Sequence, residues 1–120
     1  RAVRTIAEIP GDGANALLRT ALNGPDAAVR GQAALALGAR GVADAIPALV
    51  DMIVEGRNDV DAADALSGLA SRPALAERIA GKLAARLPDG SAAPPVRRRL
   101  TQALADIPGA TATRALTDLA

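Results

Sequence analysis

The sequence repeats itself at intervals of 31, 32 and 35 residues. The repeated pairs, each an apolar residue followed by a small one, are Ile6-Ala7, Leu37-Gly38, Leu69-Ala70 and Leu104-Ala105. An independent match supports this interval, since residues 6–11 (IAEIPG) return as residues 104–109 (LADIPG) at an offset of 98, or three units of about 33. A unit this short cannot bury its own apolar face, so the chain is expected to fold by stacking its units.

Glycine and proline separate segments of roughly 9 to 15 residues along the chain. These segments are rich in alanine, leucine and arginine, which favour helices, and their few β-branched residues follow helical spacing. About eight short helices joined by short turns indicate helical hairpins. We therefore predict an all-α fold, an α-solenoid (superhelix) of about four hairpins. The approximate units are 1–23, 24–55, 56–87 and 88–120, within a single domain at 1–120.

The pattern is clearest in the unit at 24–55. Its first helix is predicted from Pro25 to Gly38, with proline at the first helical position, Asp26 in the first turn and glycine at the stop. One face of this helix carries Val29, Ala33, Ala36 and Leu37, while Ala34 and Leu35 lie off that face. The second helix has a cleaner apolar face, made of Ile46, Leu49, Val50 and Ile53. A first helix that is apolar almost all round is expected to be buried between neighbouring units.

Three short stretches of this unit carry a family likeness: Val29-Arg30 with Ala33-Ala34, then Ala36-Leu37-Gly38, then Ala45-Ile46-Pro47-Ala48-Leu49. Together they resemble the HEAT repeat, in the short bacterial form that is also found in phycobilin lyase subunits. The match covers most of the chain more weakly, and Val96-Arg97 with Leu100 and Ala103-Leu104 restores it in the last unit. In that family the Val-Arg helices line the concave side of the superhelix. The resemblance therefore implies a concave surface made by the first helix of each hairpin.

HEAT repeats typically carry an aspartate in the turn before Val-Arg, where it helps to form a ladder with the arginines along the stack. Gly24, Glu55 and Ser91 hold that place here, so the resemblance implies at most a partial ladder. The third unit departs further, because Asp61 stands in the position of Val29 and Asp64 in the position of Gln32.

Arg97-Arg98-Arg99 is the only run of basic residues. One interpretation is a site for an anion or an acidic partner near a helix N-terminus. The other interpretation is intramolecular, since the offset of 35 residues puts Asp64 beside Arg99 and Asp61 near the other arginines, as ion pairs that set the stacking register. The candidate residues for partner binding or for inter-repeat ion pairs are Arg30, Asp61, Asp64, Arg97, Arg98 and Arg99.

The composition excludes several classes of function. Without His or Cys there is no Ser-His-Asp or Cys-His nucleophile, no thiolate or imidazole metal ligand and no disulfide. Without aromatic residues there is no platform on which bases stack. The acids at Asp59, Asp61 and Asp64 lack the loop of a calcium site. We therefore predict that the chain is not an enzyme and has no catalytic residue, no cofactor and no metal site.

The formal net charge of +1, with acids interleaved among the bases, gives no field that favours a nucleic-acid partner. No apolar run reaches the length of a membrane span, so no membrane partner is predicted. A chain without cysteine fits a reducing compartment, and we expect a cytoplasmic protein. Since neither end shows a polar capping helix, further repeats or domains of the same chain are also expected.

Three functions remain open from the sequence. The first is a non-catalytic interaction or scaffold module that binds a protein or peptide on the concave helical surface. The second is an accessory or regulatory segment of a larger enzyme, which the lyase resemblance allows. The weakest is binding to a nucleic-acid backbone, which would be revealed by a steep loss of affinity with salt.

Overall fold

The structure is a computed structural model that describes residues 12–87 and 94–119. All regular secondary structure in these two ranges is helical. It comprises α1 (Asp12–Ala21), α2 (Ala27–Ala39), a 3₁₀ turn (Ala43–Ala45), α3 (Ile46–Glu55), α4 (Asp59–Leu69), α5 (Pro73–Ala85), α6 (Pro94–Ala105) and α7 (Ala110–Leu119). Residues 1–11 of the unit predicted at 1–23 lie outside the described residues. The prediction of an all-α solenoid is confirmed. In chain order α2 and α3, α4 and α5, and α6 and α7 form three successive two-helix units, called hairpins below, and these units pack on one another chiefly through α2 with α4, α3 with α4 and α5 with α7.

The start of α2 differs from the prediction. The helix begins at Ala27, and Asp26 is its N-cap residue, in extended backbone rather than in the first turn. The Asp26 carboxylate accepts hydrogen bonds from the backbone N–H groups of Ala28 at 2.8 Å and Val29 at 3.3 Å. An aspartate at the N-cap satisfies backbone donors that have no partner within the helix. This capping moves the boundary two residues beyond the predicted start at Pro25.

Two helices end in the same glycine motif. Gly41, after α2, has φ 71° and donates its N–H to the carbonyl of Gly38, while the N–H of Val42 reaches the carbonyl of Leu37. Gly56 has φ 74° and closes α3 with the same pair of bonds. This is the Schellman arrangement, which needs a left-handed residue after the helix and therefore favours glycine. The stop that we predicted at Gly38 is thus made by Gly41.

The core contains only apolar side chains, and no polar or charged residue of the described ranges is buried. Its largest fully buried side chains come from every described helix except α7 and include Leu18, Leu37, Leu49, Leu66 and Leu100. Alanine supplies most of the rest of the core, and small side chains let helices approach closely. Leucine and alanine thereby fill a core that has no aromatic ring.

The most extensive contact between two helices of the described chain is that of α2 with α4, the first helices of two successive hairpins. A Cβ atom built on Gly38 would lie 2.8 Å from the Cα and 2.9 Å from the carbonyl oxygen of Ala65. The glycine is buried and helical, with no positive φ, so its role is to make room. The α2–α4 contact therefore depends on the absence of a side chain at position 38.

A carboxylate joins the last two hairpins on their outer side. Glu77 of α5 accepts hydrogen bonds from the Thr111 hydroxyl and, at 3.4 Å, from the Thr111 backbone N–H at the start of α7. The Thr111 hydroxyl contributes most to lowering the pKa of the Glu77 carboxyl below its ordinary value, and the backbone N–H groups and Arg114 act in the same direction. Glu77 therefore caps a helix of the next hairpin.

Candidate functional site

One row of exposed residues along each of α2, α4 and α6 forms what we call the first-helix face. On each of these helices the exposed positions recur at helical spacing, opposite the buried ones. These positions are Ala28, Gln32, Leu35 and Ala39 on α2, Val60, Asp64 and Gly68 on α4, and Arg98, Gln102 and Asp106 on and after α6. Three large apolar side chains are exposed in the described chain, and two of them, Val60 at 69% and Leu35 at 42%, lie on this face. The third, Leu17 at 52%, belongs to α1.

The first-helix face is held together between α2 and α4 by the Arg30 side chain. Its Nε donates to the Asn58 side-chain oxygen at 3.1 Å, and its Nη1 donates to the Gly24 carbonyl at 2.7 Å. The Asn58 amide in turn donates to the Ala27 carbonyl at 3.0 Å and to Asp61 Oδ2 at 3.3 Å. Arg30 therefore bridges two repeats, and it does so through an asparagine that the sequence analysis did not single out.

Asn58 also stands out by its backbone. It is the one non-glycine residue of the described ranges with a positive φ, 48°, and it precedes α4 without capping it. Asparagine tolerates the left-handed region better than most residues do. An asparagine just before a helix would ordinarily suggest an N-cap. Here its side chain is used instead for the contact with α2.

Replacing Asn58 with alanine is expected to lower the free energy of unfolding by about 1–2 kcal/mol, because the bridge is lost and alanine is less favourable at positive φ. Replacing it with glycine removes the same side chain but relieves the backbone. Urea unfolding followed by circular dichroism would measure both. If alanine and glycine at this position matched the wild type, the bridge would have no part in stability.

The three consecutive arginines do not form one site. Successive helical residues point about 100° apart, so Arg97, Arg98 and Arg99 face three directions. Arg99 turns back to α3, where its Nε donates to the Ile53 carbonyl at 2.7 Å and its Nη2 to the Val54 carbonyl at 2.8 Å. Arg98 is exposed on the first-helix face, and Arg97 is half-buried on another side of α6.

The predicted ion pairs with these arginines are therefore wrong. Within the described ranges no salt bridge joins Asp61 or Asp64 to Arg97, Arg98 or Arg99. The equal register that we assumed for α4 and α6 does not hold, because α6 packs against α3 more than against α4. The terminal carbonyls of α3 then compete for Arg99 and satisfy it better, since they carry the negative end of the helix dipole. Ion pairs do occur elsewhere, between Arg19 and Asp44, Arg57 and Glu55, and Arg86 and Asp51.

A cleft opens on the first-helix face where α4 and α6 part, and we call it the α4–α6 cleft. Asp59, Val60, Ala63 and Asp64 line one side, Arg99, Gln102 and Asp106 line the other, and Ile53 of α3 also contributes. Arg99 is the one basic residue of this lining. Asp64 thus lies near Arg99, as predicted, but across a cleft rather than in a pair.

The charges of the cleft are unbalanced. It contains three carboxylates, those of Asp59, Asp64 and Asp106, and none of them forms an ion pair within the described part of the chain. The single guanidinium is held by backbone carbonyls. The sequence analysis weighed Asp59 only as a metal ligand and did not single out Asp106 or Val60 as site residues, because their meeting depends on how α6 packs.

The described residues form neither a metal site nor a membrane-spanning helix. No group of three or more His, Cys, Asp or Glu residues there is arranged to hold a metal ion. None of the described helices combines the length and the apolar character needed to cross a membrane.

The comparisons with known proteins agree with the fold. The family model of HEAT repeats matches residues 1–70. Searches of curated proteins and of solved structures returned no match. HEAT repeats generally mediate protein interactions or serve as scaffolds. The match covers more than half of the chain and includes α1 to α3 and all of α4, and the chain therefore belongs to the HEAT repeat family.

Proposed function

We propose that this chain is a non-catalytic module that binds a protein or peptide on its first-helix face. The observation that carries the proposal is the α4–α6 cleft, an open concavity on that face with the strongly exposed Val60 in its lining. An apolar side chain beside polar groups in a concavity is typical of the centre of a binding surface. The family's general role in protein interaction supports the same conclusion.

The residue types of the cleft support a binding role over a catalytic one. Its lining offers carboxylates, one amide and one guanidinium, with no nucleophile beside a base. Arg99, the one group that could stabilise a developing negative charge, is already engaged by two carbonyls of α3. Shape and charge complementarity to another chain is what this arrangement can provide.

Two matched variants test the location of the binding surface. Val60→Gln changes the first-helix face. Leu17→Gln makes the same kind of change on α1, where the Leu17 side chain is 52% exposed. The test protein is one that the wild-type chain retains in an affinity capture. We expect it to bind Leu17→Gln as well as the wild type and Val60→Gln much more weakly. The reason is that exposed apolar anchors contribute most at the centre of an interface.

The retained protein is then purified, and its affinity for the wild type and for each of the two variants is measured by titration. Equal binding by the two variants would show that the first-helix face is not the binding surface. Retention of nothing beyond what an unrelated helical protein retains would contradict the interaction role itself. Circular dichroism of each variant controls for folding.

A further inference from the structure

We infer that the α4–α6 cleft takes a basic segment of the partner, in which arginine or lysine alternates with an apolar residue. The inference rests on the proposed function and adds the chemical class of the ligand. It is argued from the shape of the cleft, from the exposed Val60 and from the charges that line it. The run of three arginines, the most obvious charged feature of the sequence, would favour an acidic partner instead. The two interpretations can therefore be separated by experiment.

The shape of the cleft follows from an irregularity in the stack. Between α2 and α4 the first helices are in close contact, with no room for a Cβ atom at Gly38. The first helix of the following hairpin, α6, packs instead against the end of α3, to which Arg99 donates two hydrogen bonds. A gap remains between α4 and α6 on this face, and no ion pair within the described ranges crosses it. The cleft is therefore part of the fold, and a guest segment would not have to displace another element.

The lining favours a cation. Three carboxylates face one guanidinium, and the guanidinium is closely bound to the carbonyls of Ile53 and Val54. The C-terminal end of α3 adds partial negative charge behind it. An acidic segment would meet repulsion from both walls, whereas arginine on the guest would find carboxylates free to accept its paired N–H groups.

The lining also favours an apolar contact beside the cation. Val60 is 69% exposed, and the half-buried Ala63 beside it also lines the cleft. Burying such surface gives non-directional stabilisation, while the carboxylates select the sign of the charge. A segment with alternating basic and apolar residues satisfies both requirements.

The test uses the whole chain and a labelled peptide in which arginine alternates with leucine, measured by fluorescence anisotropy. The double variant Asp64→Asn with Asp106→Asn removes one carboxylate from each wall of the cleft and keeps the side-chain size. The control, Asp44→Asn with Asp51→Asn, removes two exposed carboxylates that pair with Arg19 and Arg86 outside the cleft. We expect the cleft variant to bind about tenfold more weakly and the control to bind like the wild type, with affinity falling as salt rises.

Four results would overturn the inference. The first is equal weakening by the two double variants, which would make the effect one of net charge. The second is tighter binding of the same peptide with glutamate in place of arginine, which would assign the face to the exposed Arg98. The third is tighter binding of an oligonucleotide than of the basic peptide. The fourth is failure of the basic peptide to bind while Val60→Gln still weakens the binding of the captured protein; the ligand class is then wrong and the proposed function stands.

Discussion

The variant Gly38→Ala is expected to unfold with a free energy lower by about 2–3 kcal/mol than that of the wild type, because a methyl group must be forced against backbone. The Cβ atom would lie 2.8 Å from Ala65 Cα and 2.9 Å from its carbonyl oxygen. Neither atom can rotate away, so α2 and α4 must separate along a contact that also includes the Arg30–Asn58 bridge. Alanine would otherwise favour a helix over glycine, which makes a loss of stability diagnostic of the close approach.

The matched control is Gly68→Ala. Gly68 lies in α4, is exposed, and has no atom within 4 Å of a built Cβ. This variant is expected to gain about 0.5–1 kcal/mol from helix propensity alone. Urea unfolding followed by circular dichroism suits both measurements, because the chain has no Trp or Tyr to report by fluorescence. A Gly38→Ala variant as stable as the wild type would show that α2 and α4 are not packed at this distance.

The second large effect is expected at Arg99. Replacing it with alanine is expected to destabilise the chain by about 2–3 kcal/mol, because two charge-assisted hydrogen bonds to the last carbonyls of α3 are lost. These bonds, at 2.7 and 2.8 Å, are the polar connection between α6 and α3. Lysine at this position would restore the charge but cannot present two N–H groups in a fixed fork, so it should recover only part of the loss.

Arg98 provides the control for Arg99. It is the preceding residue of the same helix, exposed, and makes no ion pair in the described chain. Arg98→Ala is expected to change the free energy of unfolding by less than about 0.5 kcal/mol. Equal effects at the two positions, measured by urea unfolding, would mean that the helix needs positive charge in general and that the contact with α3 is of no special importance.

Much of the fold follows from the sequence because helical repeats have strong local signals. The interval at which the Leu37-Gly38 pair recurs predicts the hairpins. The spacing of Ile46, Leu49, Val50 and Ile53 predicts the buried face of α3. Glycine and proline marked the turns, with errors of one or two residues where a cap decided the boundary. Asp26 is the example, since an acid near a helix start fits both the N-cap and the first turn.

The candidate site was less predictable because it depends on where the repeat is irregular. Aligning the third and fourth units placed Asp64 beside Arg99, which is right about proximity and wrong about pairing. The alignment assumes equal stacking, and it has no information about the carbonyls at the end of α3. The contact made by Asn58 was hidden for a similar reason, because an asparagine before a helix is expected to serve that helix.

The two hydrogen bonds between Arg99 and the end of α3 join the unit at 88–120 to the unit at 24–55, which are not neighbours along the chain. Repeat arrays are usually described as one-dimensional chains in which each unit has an intrinsic free energy and a coupling to its immediate neighbours. A coupling between second neighbours means that unfolding of the middle hairpin also destabilises the hairpins on either side of it. The transition should then be sharper than a nearest-neighbour sum gives, and the three hairpins should melt as one cooperative unit rather than unravel from an end.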